Sequence, residues 1–312
     1  MIQPLVDHPG HLFIREHGPF RNEDDIVSYA DFLRTMAGLT DQPPIDLTQI
    51  HQRFGIPAPL LAPLQDQQGL LFDSETGIML IKEDDPITRQ RFTNAHELME
   101  MVCEAHKVLP NRPQLPSWLE GKVKERLCDR GAATLLMPLS SFSPLVRHTG
   151  VSLAACSHLA KKYGTSFMAT LSRMTQYGPG AHIVVVWRYA HKPSQHCLLP
   201  SDVQPSLFGS QVEIGPPKKL RVWWSKRSNL LTDSFVPYHK SVNEESLIQA
   251  VFDAGGDQTG VEYVEIGAIQ GECVIEARRV TVGTELCVVS LLHLPQDDNC
   301  QGRNKSYGHS VL

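Results

Sequence analysis

Ile26, Tyr29, Ala30, Leu33 and Ala37 recur at three- and four-residue intervals, the period of one helix face. They predict a helix over 23–37, which Gly38 ends. The stretch "QPPIDLTQIHQRFGI" (42–56) reads as a proline turn, an Asp46 cap and a short helix stopping at Gly55. Two short apolar runs, 70–72 and 77–81, flank the turn-rich "DSETG" and predict a hairpin. Asp84-Asp85-Pro86 breaks the chain before a helix over 87–106. The proline-rich "VLPNRPQLPSW" (108–118) is a loop, and Val123, Leu127, Ala132 and Leu135 mark the apolar side of a helix over 119–136. Met137-Pro138 closes it, because a residue before proline avoids the helical region. Two further helices are expected at 151–163 and 166–176, and residues 1–22 read as irregular.

The pattern changes after Gly178-Pro179-Gly180. "HIVVVWRY" (182–189), "KLRVWWSK" (219–226), "EYVEIGAI" (262–269), "GECVIEARRV" (271–280) and "ELCVVSLLHL" (285–294) are β-branched and aromatic, and predict strands. One amphipathic helix, "NEESLIQAVFDAGG" (243–256), interrupts them. The expectation is an α+β chain with a mainly helical domain over 1–180 and a β-rich domain over 181–312. The polar tail from about 296 reads as disordered.

Composition narrows the function classes. With 312 residues, 41% hydrophobic and 20% charged, the chain reads as globular. A formal charge of −5 argues against a dedicated nucleic-acid binder. No signal peptide and no membrane span are evident, so a cytoplasmic location is expected. The seven cysteines are scattered and never form C-x-x-C, which argues against a disulfide framework and against a thiolate zinc site.

The candidate chemistry lies in "RFTNAHELMEMVCEAH" (91–106). Side chains four apart on a helix share a face, so His96 and Glu100 can reach one ion together. Glu97 projects about 100° away, where it can reach a water instead. A peptidase centre needs a third ligand, and Glu125 in the next helix is the candidate. Alone, an H-E-x-x-E pentapeptide is more often a solvated helix face than a metal site. Cys103 shares the face of His96 but stands two turns away, about 10 Å along the axis, and reads as core. His106 reads as a helix-end cap or surface residue.

"RQRFTNAHELMEMV" (89–102) and "KERLCDRGAATLLMP" (124–138) together resemble the ImmA/IrrE metallopeptidases, whose motifs run R-Q-R-F-T-x-A-H-E-x-x-H and E-R-x-x-N-x-F-A-A-x-L-L-M-P. The resemblance covers about 40–178. It implies a zincin-like peptidase fold with a small sheet. It implies zinc ligation by His96 and Glu125, with Glu97 as general base. The family's second histidine falls on Glu100, and Asp129 and Gly131 replace its asparagine and phenylalanine. One histidine and two carboxylates neutralise a divalent ion more fully than two histidines and one carboxylate. Weaker Zn2+ binding, a drift toward harder ions such as Mn2+, and slow or absent hydrolysis are therefore expected.

The resemblance also implies a partner: a separate helix-turn-helix repressor, cut or bound by this chain. Two other readings stay open. One is a catalytically weak or inactive peptidase fold used for binding or sensing. The other is a DNA-associated regulator working through the helix-turn-helix-like segment 151–176 with Lys161, Lys162, Ser166 and Arg173. Direct DNA binding is disfavoured, because so few basic residues neutralise few phosphates. The C-terminal half, with "VWWSKRSN" and "FVPYHKS", resembles extensions of longer family members, one of them GAF-like. That implies a small-molecule effector there.

Overall fold

A computed structural model describes residues 3–109, 116, 119–198, 216–231, 235–267 and 269–295. Most of the proline-rich loop and the tail from 296 lie outside these residues. The fold class is α+β, and the chain divides into two compact units, Met1–Met174 and Thr175–Leu312.

The first unit begins with a helix the sequence reading missed. Residues 1–22 were expected to be irregular, yet α1 spans Pro9–His17. The His8 side chain accepts a hydrogen bond from the His11 N–H, Pro9 enters at the first turn, and the Gly18 N–H returns to Ile14 O. Then come α2 (Asp25–Met36) and α3 (Leu47–Phe54), the latter capped by Asp46 and stopped by a left-handed Gly55. β1 (Leu60–Ala62), β2 (Gly69–Asp73) and β3 (Ile78–Lys82) form a sheet in the order β1-β3-β2, with β1 parallel and β2 antiparallel to β3. α4 (Ile87–Lys107) and α5 (Gly121–Leu136) pack on each other, and α1 and α2 pack against them.

Leu98, Met99, Val102, Leu127, Ala132 and Leu135 are buried in this core with Ile26, Tyr29 and Leu33. Gly131 permits the close approach, because a Cβ there would stand 2.5 Å from Met99 Sδ and 2.7 Å from Ile26 Cγ1. A phenylalanine at that position has no room. His106 is not a surface residue. It is buried, its Nε2 accepts the Phe20 N–H at 2.7 Å and its Nδ1–H donates to Val102 O at 2.7 Å.

α6 (Leu139–Thr149), α7 (Leu153–Tyr163) and α8 (Phe167–Tyr177) follow, with Gly164 left-handed at the α7 C-terminus. Lys161 and Lys162 are exposed. Arg173 is buried, its guanidinium 6.0 Å from the Phe142 ring centre, so it does not face a phosphate backbone.

The second unit holds one antiparallel sheet of β4 (His182–Ala190), β5 (Lys219–Arg227), β6 (Asp257–Ile266), β7 (Ile269–Val282) and β8 (Glu285–His293). Their order is β5-β4-β8-β7-β6. The first and last strands are therefore central, and β4 is buried along most of its length. α9 (Leu247–Ala254) covers β6, β7 and β8 with Ile248 and Val251. Trp187 is the largest fully buried side chain among the described residues, and its indole N–H donates to Ser290 Oγ at 2.7 Å. Trp223 is exposed and Trp224 half-buried, because a register shift between Val186 and Trp187 leaves Trp223 opposite neither.

Candidate metal centre

His96, Glu100 and Cys103 stand at i, i+4 and i+7 on α4, so they share a face. α5 turns Lys124, Glu125, Cys128 and Asp129 toward that face. The result is a half-buried polar seam at the margin of an apolar helix contact.

His96 is held from one side. Its Nδ1 lies 2.9 Å from Asp129 Oδ1. A carboxylate only accepts, so Nδ1 carries the proton and Nε2 presents its lone pair. A carboxylate behind a histidine in this way fixes the tautomer a metal ligand needs. Nε2 lies 3.4 Å from Glu125 Oε2. Burial opposes protonation of His96, but the hydrogen bond and charge of Asp129, with Glu97 and Glu100, outweigh it and raise its pKa.

Glu97 is 4% exposed. Burial, then the charge of Glu100, raises its carboxyl to about 7, against opposing contributions from His96 and a backbone hydrogen bond from Leu71. A carboxyl that titrates near neutrality suits a general base. β2 sits directly on it: a Cβ on Gly69 would stand 2.2 Å from Thr93 Cγ2 and 2.6 Å from Glu97 Oε1. Only glycine lets the strand come this close.

Glu100 is engaged by Lys124 Nζ at 2.5 Å, and the same ammonium lies 3.7 Å from Glu125 Oε1. Burial disfavours the charged lysine, but its contact with Glu100 and the charge of Glu125 raise its pKa. Glu125 is 54% exposed at its side chain.

Two measures of proximity divide the carboxylates. Ligand atoms of His96, Glu100 and Cys128 lie within 4.8 Å of one another, whereas Glu125 contacts His96 from the solvent side. The three-atom cluster is the stronger guide to ion binding, because an ion needs mutual convergence and not one neighbour. Cys128 escaped sequence reasoning, which found no C-x-x-C pair and argued against a thiolate site. Its signal was its position three residues after Glu125, on the same helix face. Cys128 Sγ is 3.8 Å from Cys103 Sγ, and both are free and buried. That contact and burial raise the Cys128 pKa. The residues present fit a divalent ion: an imidazole oriented by Asp129, a half-buried carboxylate and a buried thiol converge, and a second carboxylate lies at the mouth.

A second group, His8, His11 and Glu75, also brings ligand atoms within 4.8 Å of one another. Nothing in the sequence pattern had marked it.

Residues 52–175 match the family profile described as the IrrE N-terminal-like domain, a peptidase family. That segment belongs to the ImmA/IrrE metallopeptidase family. Over 143 residues the chain is 30% identical to the radiation response metalloprotease IrrE of Deinococcus radiodurans, covering 43% of this chain and 42% of that one. The chain therefore spans about two fifths of the length of this curated relative. Its fold resembles that of a Mycobacterium tuberculosis transcriptional regulator, with a TM-score of 0.55 and 12% identity over 92% of this chain and 80% of the other. Among the described residues no helix is long and apolar enough to cross a membrane.

Proposed function

We propose that the chain is a metal-dependent endopeptidase-like regulator acting on a helix-turn-helix repressor in the cytoplasm. His96 and Glu100 hold a divalent ion, Zn2+ or a harder ion such as Mn2+, with Glu125 completing the set. The observation that carries the reading is Asp129 on His96 Nδ1, which turns Nε2 toward Glu125 on a ring whose ligand atom converges with that of Glu100.

The bound ion would supply Lewis acidity toward a peptide carbonyl. Glu97 takes the proton of the attacking water and passes it to the leaving amine. β2 is an edge strand of its sheet among the described strands, and it abuts Glu97. An extended segment of a partner protein added to that edge would run past the reacting groups.

One observation favours a non-catalytic version of the same fold. The Lys124 ammonium already neutralises Glu100, as a cation would. In that case the domain binds its partner without cutting it. In the second unit, a cavity of about 600 Å3 lined by Lys226, Ser228, Asn229, Phe235 and Tyr238 supports a small-molecule effector site.

The test incubates the purified, Zn2+-loaded chain with a purified helix-turn-helix repressor and reads products by mass spectrometry. Cleavage at one bond is expected, and it should vanish in Glu97→Gln. An intact repressor in the presence of fully metal-loaded protein would end the hydrolytic reading.

A further inference from the structure

We propose that Cys128 is a direct ligand of the ion held by His96 and Glu100, which makes this a mixed nitrogen, oxygen and sulfur centre. The proposal rests on the metal-binding reading above and puts Cys128 in the place given there to Glu125.

The argument is geometric. Donors around a tetrahedral ion at roughly 2.0–2.3 Å stand about 3.3–3.8 Å apart. The atoms offered by His96, Glu100 and Cys128 already lie within 4.8 Å of one another. Shifts of about 1 Å close them on one ion. A buried cysteine is ordinarily a small hydrophobe. Cys128 differs in that an imidazole and a carboxylate converge on its sulfur, and a second thiol, Cys103, lies 3.8 Å away. On metal binding the Cys128 proton leaves to solvent, and the Cys103 S–H can donate to the resulting thiolate.

Charge balance assigns Lys124 and Glu125 a different task. One carboxylate and one thiolate neutralise a divalent ion, so Glu125 is not needed for that. The ion must displace the Lys124 ammonium from Glu100, and Glu125 Oε1, 3.7 Å away, is its next partner. Three protein ligands also leave an open position for substrate, as in catalytic zinc sites. A thiolate moves the preference back to Zn2+ and Co2+ and away from Mn2+, against the expectation from an oxygen-rich set.

The test titrates the full-length chain with Co2+ alone and reads the absorption spectrum. Expected are visible d–d bands together with an intense near-ultraviolet sulfur-to-cobalt band. The sulfur band should persist in Cys103→Ser and vanish in Cys128→Ser, with Zn2+ affinity falling at least about tenfold, the smaller loss typical even of outer-shell partners. Circular dichroism checks that the variants fold, and Cys128→Ala takes the place of Cys128→Ser if the serine variant does not. Visible bands without a sulfur band, or a sulfur band that survives Cys128→Ser in a folded protein, overturn the thiolate ligand and leave the metal-binding reading standing. No cobalt bound to the wild-type chain overturns both.

Discussion

His8, His11 and Glu75 bring two imidazoles and a carboxylate together as closely as His96, Glu100 and Cys128 converge. By residue type the first group is the more familiar metal set. The hydrogen bonds say otherwise. His8 Nδ1 accepts the His11 N–H at 3.2 Å, so the proton of a neutral ring sits on Nε2, which faces Ser74 Oγ at 3.1 Å. Both nitrogens are committed, one of them to the start of α1. At His96 the polarity is reversed: Nδ1–H donates to Asp129, and Nε2, the lone-pair nitrogen of the neutral ring, faces the half-exposed Glu125 carboxylate at 3.4 Å. A metal at His8 must undo a helix cap, whereas a metal at His96 finds its ligand already oriented. Proximity of donors is thus a weaker criterion than the tautomer their neighbours impose.

The sharpest way to strengthen this contrast removes chemistry from one group and leaves its metal. Glu97→Gln keeps the shape of the buried side chain and removes the base. Peptide hydrolysis should fall by about 10²–10⁴-fold, the usual contribution of a positioned base, with metal content unchanged by mass spectrometry. An unchanged rate would remove Glu97 from the chemistry.

Next in size is the metal itself. His96→Ala should weaken Zn2+ binding by about a hundredfold or more, since loss of even an outer-shell partner costs about 10–100-fold. His11→Ala should leave the zinc stoichiometry unchanged. If instead His11→Ala loses the metal and His96→Ala keeps it, the two groups exchange roles.

The sequence carried the scaffold of this contrast better than its details. Periodicity predicted α2, α5 and α9, cap and chain-breaking residues marked α3 and α4, and β-branched runs predicted β4 through β8. α1 was lost: Pro9 and Gly10 look like loop residues, although proline suits a first helical turn. α6 carries an internal Pro144, and β1 has only three residues, so neither has a readable pattern. The helix faces bearing His96, Glu100 and Glu125 were legible from spacing within each helix. The Lys124–Glu100 pair and the approach of Cys128 were not. Both depend on how α5 is rotated against α4, which Gly131 and Met99 set through packing, and no single helix records that rotation.

Lys124 offers a smaller, opposite-signed effect at the same centre. Its ammonium competes with an ion for Glu100. Lys124→Met removes that competitor and keeps the methylene stem. Zn2+ affinity should rise by about tenfold, or about 1.4 kcal/mol. A fall in affinity would mean that the lysine organises the carboxylates instead of blocking them.

The smallest effect belongs to the other group. His8→Ala removes the α1 cap and should cost about 1 kcal/mol of stability near pH 7, read by denaturant unfolding. Its pH dependence identifies the cause. Burial, with the neighbouring His11, lowers the His8 pKa from 6.5 to about 4. Between these values the unfolded chain binds the proton and the folded chain does not, so acid favours unfolding. The His8 contribution is intact above about pH 6.5 and is lost progressively as the pH falls toward 4. The stability gap between wild type and His8→Ala should therefore narrow across that window. Zn2+ at low multiples of the protein concentration should leave the gap unchanged. A gap that grows with added zinc would show that His8, and not only His96, holds an ion.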